Sequence, residues 1–123
     1  MERLRVATFN VNSLRSRLPI LERWLLQGEV DVLGLQETKV EDRSFPEDFF
    51  RDRGYGVIFR GQKAYNGVAV ASRLPMTEVA FGFGDGESPG DEPRMVRCTV
   101  GGMKIINSYV PQGKALDHPD YAY

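Results

Sequence analysis

Residues 30–36 read V-D-V-L-G-L-Q, an apolar run that only Asp31 and Gly34 interrupt before Gln36. A strand with one wet face alternates apolar and polar residues, so a run this uniform predicts a strand buried on both faces. Upstream, Leu4–Phe9 predicts a first strand, with Leu4, Val6 and Thr8 on one side and Arg5, Ala7 and Phe9 on the other. Between the two, Leu14, Leu18, Leu21 and Leu25 recur at steps of four, three and four, the spacing of one helical face. A helix is expected over 17–27, with Ser16 as N-cap, Pro19 tolerated in the first turn and Gly28 as the stop. Strand, helix and buried strand open an α/β layer.

Downstream the pattern changes. Residues 38–53 are charged, with Phe45, Phe49 and Phe50 among them, and read as a loop and a short helix. Tyr55–Arg60, Gly67–Ser72, Thr77–Phe83, Met95–Val100 and Lys104–Tyr109 are short β-type runs separated by Gly, Pro, Asn or Asp. Gly101-Gly102 is a hairpin signal, and the acidic, Gly- and Pro-rich stretch 84–93 reads as a loop.

Composition narrows the class. At 123 residues the chain is one domain at most. Sixteen basic against seventeen acidic residues exclude a uniformly basic nucleic-acid coat but leave room for a local basic groove. One cysteine excludes a disulfide framework. No run approaches the ~20 apolar residues of a membrane span, and Met1-Glu2-Arg3-Leu4 opens no signal-peptide core. A cytoplasmic location is expected.

Polar residues sit where three strands end: Asn10 and Asn12, then Gln36-Glu37-Thr38-Lys39, then Asn107 and Tyr109. In layered α/β folds ligands bind beyond strand ends, so the three ends can converge on one site. Taken singly, each reads equally well as turn asparagines, solvated charges or a half-buried tyrosine. Cys98 and Trp24 read as packing residues, and Asp31, Glu41, Asp42, Glu47 and Asp48 as solvated charges.

Four segments carry a family resemblance: T-F-N-V-N-S-L-R at 8–15, D-V-L-G-L-Q-E-T-K at 31–39, G-Q-K-A-Y-N-G-V-A-V at 61–70 and I-I-N-S-Y-V-P-Q-G at 105–113. Together they resemble the exonuclease III family, bacterial apurinic/apyrimidinic endonucleases of the endonuclease/exonuclease/phosphatase superfamily. The resemblance implies half of a four-layer α/β sandwich of the DNase I-like kind, mostly antiparallel sheet with a flanking helix. The chain would be the N-terminal part of that domain, without its C-terminal half. Catalytic roles are implied for Tyr109, Asn10 and Glu37, and a metal site at Glu37 and Asn10. DNA contacts are implied for Lys63, Arg94 and Asn12. Asn12, Lys39, Asn107 and Gln112 would also orient the backbone and the site. The implied cofactor is Mg²⁺, with Mn²⁺ as substitute. The implied substrate is double-stranded DNA with abasic sites or 3′ ends, cut in base-excision repair.

Phosphodiester hydrolysis needs a cation to offset charge, donors aimed at the phosphate oxygens, and a group that activates water. Glu37 serves the first need; Asn10, Tyr109 and the cations serve the second. The family's Asp-x-Asn motif and late Asp-His pair, which serve the third, have no counterpart in the expected context. Asp117-His118 directly follows the 105–113 motif, where the family has a similar run outside its catalytic centre. The seven strands are expected to form one sheet, helix on one face and the other face bare. A bare face would favour a homodimer packed sheet to sheet. Two other readings remain: a non-catalytic, self-associating fragment, and a phosphoesterase acting on a small phosphate ester.

Overall fold

The computed structural model describes residues 3–62, 65–81 and 95–108. In chain order the elements are β1 (Val6–Asn10), α1 (Leu14–Gln27), β2 (Val32–Gln36), a 3₁₀ turn (Asp42–Ser44), α2 (Glu47–Arg51), β3 (Gly56–Gln62), β4 (Tyr65–Ser72), β5 (Met76–Phe81), β6 (Met95–Val100) and β7 (Met103–Ser108). The strands form two sheets, ordered β1-β2-β4-β3 and β5-β6-β7. Among the described strands only β1 and β2 run parallel, with Val6 opposite Val32 and Asn10 opposite Gln36; every other described pair is antiparallel. The crossover between β1 and β2 is α1, as a parallel connection requires.

The single seven-stranded sheet expected from sequence is therefore two, and neither face of the first is bare. β2 is buried on both sides, as its apolar run predicts. Leu33, Leu35, Ala69 and Ala71 face Leu14, Leu21 and Leu25 of α1, with Phe45, Phe50 and Tyr55 completing that layer. Phe45 stacks on Phe59 with ring centroids 4.0 Å apart. On the opposite face Val32, Val68 and Val70 pack against Val96, Cys98 and Val100 of the second sheet. β4 is already paired on both edges, by β2 and β3, so the chain leaving it cannot extend the sheet there. It turns at 73–75 and returns as a second layer, which removes the reason for a sheet-to-sheet dimer.

The helix also starts earlier than expected, at Leu14, with Ser13 rather than Ser16 as the N-cap. Pro19 accordingly lies beyond the first turn. Having no N–H, it leaves the Arg15 carbonyl without its usual helical donor. Gly28 ends the helix in the left-handed conformation, φ 68°, as expected. Cys98 and Trp24 are packing residues, Cys98 buried and Trp24 against Phe9 with centroids 5.1 Å apart.

Asp31 corrects another expectation, since it is not a freely solvated charge. Its carboxylate accepts the Arg5 backbone N–H at 2.8 Å and a guanidinium hydrogen of Arg73, locking the start of β2 to the segments before β1 and after β4. Tyr55 donates its hydroxyl to the Val30 carbonyl beside this lock. The stretch 84–93 lies outside the described residues.

Candidate active site

Parallel pairing of β1 with β2 brings their C-terminal ends side by side, with Asn10 opposite Gln36. The residues just beyond both strands therefore meet. Asn10 Nδ2 donates to Glu37 Oε2 at 2.5 Å. Asn10 Oδ1 accepts the Asn12 backbone N–H at 3.1 Å, which turns the amide toward the carboxylate. Lys39 Nζ donates to Asn12 Oδ1 at 2.6 Å. Asn10, Asn12, Glu37 and Lys39, from two segments 27 residues apart, thus form one connected group.

The backbone beneath them is stapled. Val11, Ser13 and Leu14 donate their N–H groups to the carbonyls of Gln36, Glu37 and Thr38 at 3.0, 2.9 and 2.9 Å. Four non-glycine residues here hold positive φ: Asn12 at 45°, Ser13 at 95°, Glu37 at 55° and Lys39 at 56°. Such conformations cost about 1–3 kcal/mol each and persist where their surroundings over-determine them, typically at functional sites. The loop after β2 is tied further out as well. Arg15 Nη2 donates to Ser44 O at 2.8 Å, and the Gly61 N–H donates to Asp42 Oδ1 at 2.7 Å.

Below the surface the second sheet reaches the same place. Asn107 of β7 is 6% exposed and points between the sheets. Its Nδ2 donates to Leu35 O at 2.9 Å and Ala69 O at 2.8 Å. Gln36 Nε2 donates to Asn107 Oδ1 at 2.5 Å and to Thr8 Oγ1 at 2.8 Å. Gly34 leaves room for this amide: a Cβ there would lie 3.2 Å from Asn107 Cγ and Oδ1. Reading Asn107 from sequence placed it in the right motif, but its inter-sheet bonds and its pairing with Gly34 had no local signal.

Of the residues implied from sequence, Asn10, Glu37 and Asn12 come together here. Tyr109, Lys63, Arg94, Gln112 and Asp117-His118 lie outside the described residues. Among the described residues no three of His, Cys, Asp and Glu cluster as metal ligands. Two concavities among the described residues lie away from this group. One of about 410 Å³ lies on the second sheet among Arg97, Thr99 and Lys104, and one of about 250 Å³ lies beside Trp24.

Residues 7–121 match the endonuclease/exonuclease/phosphatase family. The chain belongs to that family. Exodeoxyribonuclease III of Haemophilus influenzae is 33% identical over 119 residues, which span 94% of this chain and 44% of that protein. An exodeoxyribonuclease of Bacillus subtilis is 28% identical over 124 residues, 96% of this chain and 47% of its own length. An AP endonuclease from Archaeoglobus fulgidus superposes with a TM-score of 0.91 at 49% identity, covering 98% of this chain and 46% of that one. NExo, a 3′ phosphatase from Neisseria solved with a product DNA hairpin, has a TM-score of 0.91 at 38% identity, covering 98% and 47%. The chain thus spans about half the length of these relatives, and its half-sandwich is the family's DNase I-like architecture. Among the described residues, no helix of this family member is long and apolar enough to cross a membrane.

Proposed function

We propose that this chain supplies the Glu37 half of an active site that hydrolyses DNA phosphodiesters. The reaction is of the exodeoxyribonuclease III and AP endonuclease type, at abasic sites and 3′ ends, in base-excision repair. The observation that carries the reading is the Asn10–Glu37 hydrogen bond at the paired ends of β1 and β2, on a backbone held at four positive φ angles. The activities of the relatives point the same way.

The donor set fits a hard divalent cation. Glu37 offers carboxylate oxygens, and Asn10 Oδ1 keeps a lone pair beyond the one that accepts the Asn12 N–H. Mg²⁺ retains several waters and needs only one or two protein carboxylates, so a one-carboxylate site suits it, with Mn²⁺ as substitute. When bound, the cation offsets charge on the phosphate and the leaving oxygen. Asn10 orients Glu37, Tyr109 donates its hydroxyl to the phosphate, and Asn12, Lys63 and Arg94 contact the DNA.

The water-activating group comes from a C-terminal half that completes the domain. Among the described residues β1 and β7 each form one outer edge of their sheet, with Val6 of β1 50% and Ile106 of β7 68% exposed. Those two strands are where the completing partner docks. Cys98, a buried thiol, accords with a reducing, cytoplasmic setting.

The test is cleavage of a duplex with one abasic site, in Mg²⁺, by the chain together with the C-terminal half of a relative. Incision that Glu37→Gln suppresses at least 100-fold supports the reading. Turnover of a soluble phosphomonoester with the abasic duplex left intact would instead favour a small-ester phosphoesterase.

A further inference from the structure

We infer that Asn107 is a positioning residue that holds Glu37 and Asn10 in register from the opposite sheet. The functional meaning of this rests on the reading of Glu37 given above. Asn107 belongs to β7, yet both hydrogens of its Nδ2 go to the first sheet, one to Leu35 of β2 and one to Ala69 of β4. Its Oδ1 receives Gln36, and Gln36 also donates to Thr8 of β1. Leu35 and Gln36 are the two residues before Glu37, and Thr8 lies two residues before Asn10. One buried amide therefore braces the last residues of both strands that deliver the candidate site.

The surroundings argue against simple packing. Much of the inter-sheet layer is apolar: Val32, Val68, Val70, Val96, Cys98 and Val100. An amide in such a layer brings a desolvation cost that an apolar side chain avoids, and here it is offset by three directional bonds. Its space exists because residue 34 has no side chain. Two departures from the apolar pattern, Gly34 and Asn107, thus serve one contact beneath Glu37. Pinning two neighbouring carbonyls and the Gln36 amide at fixed spacing sets the height and twist at which the chain enters the strained turn at Glu37.

Hydrogen exchange and Mn²⁺ titration of this chain separate positioning from stability. The Ser13 and Leu14 amides report on the site because they donate to the Glu37 and Thr38 carbonyls. Asn107→Ala and the milder Gly34→Ala should each speed exchange at these two amides at least tenfold beyond any change in the slowest core amides. Both should weaken Mn²⁺ binding at least tenfold. Val100→Ala, which opens a cavity in the same layer but four residues along β6 from Val96, the cross-strand partner of Asn107, should speed core exchange evenly and leave Mn²⁺ affinity unchanged. Asn107→Ala and Gly34→Ala variants that behave like Val100→Ala overturn the inference. If the wild type binds no Mn²⁺ through Glu37, the proposed function falls, and selective exchange at Ser13 and Leu14 still decides the positioning role.

Discussion

Thr38 Oγ1 occupies the place where a side chain on residue 67 would begin: a Cβ built on Gly67 stands 2.0 Å from it. Gly67 also holds φ at 103°, and its carbonyl accepts the Thr38 N–H at 3.3 Å. The first residue past Glu37 is therefore seated directly on β4. Gly67→Ala should cost about 2 kcal/mol or more from backbone strain and overlap together. At roughly 4 °C per kcal/mol for a chain of this size, the melting midpoint should fall by about 8 °C or more. Adding Thr38→Ala should recover only the overlap part. A double-mutant cycle by thermal melting checks this, and full additivity of the two changes would contradict the contact.

Glu37→Gln should abolish divalent-cation binding while leaving the fold intact, because the amide keeps the shape and loses the charge. Wild-type binding should be weak, since a single carboxylate holds Mg²⁺ poorly. Calorimetric titration with MgCl₂ and MnCl₂ measures both. Tight binding that survives the substitution would remove Glu37 from the site.

The lock at the far end of β2 predicts a pH dependence. The Arg5 backbone N–H, and after it the Arg73 guanidinium, hold the Asp31 carboxyl below its usual value of 3.8. A carboxyl lowered on folding stabilises the fold above the unfolded value and loses that contribution as pH falls through the folded one. Asp31→Asn should therefore lower the melting midpoint at pH 7. The gap from wild type should close as pH drops from about 4. Parallel melting curves at pH 7 and below 3 test the sign.

Cys98 gives a chemical probe of the same fold. Burial pushes its thiol above the usual value and away from the reactive thiolate. A thiol reagent at neutral pH should label the native chain far more slowly than the chain in denaturant. Equal rates would show that the layer between the sheets opens freely.

On its own, this 123-residue chain should cut abasic DNA at least 10²-fold more slowly than a full-length relative, because loss of a general base typically costs about 10²–10⁴-fold. Addition of the relative's C-terminal half should recover rate. Equal single-turnover rates without it would mean that a group within residues 1–123 activates water, with His118 the first to replace.

Much of this was legible locally. The run at 30–36 announced a strand buried on both faces, because only a doubly covered strand tolerates apolar residues at both parities. The positions of Asn10 and Glu37 at the ends of two strands announced that they meet, since side chains at adjacent strand ends share a rim, whereas Asn107 lies buried within β7 beneath them. The helix start was misplaced by three residues because Ser13 and Ser16 are both acceptable caps. The deciding bonds, from the Ser13 and Leu14 N–H groups to Glu37 and Thr38, are tertiary.

Residue order by itself determined the elements, their apolar faces and the residues at each strand end, because periodicity and turn chemistry act within a few positions. Tertiary structure decided the rest. Whether β5 can lie beside β4 depends on which edges of β4 are already taken, and β2 and β3 take both. Whether Asp31 is solvated or locked depends on Arg73, 42 residues away. Whether Gly34 is a weak point in a strand or a seat for an amide depends on Asn107, 73 residues on. Contacts of that span arise only when separate segments fold into one body, and no local pattern in the chain encodes them.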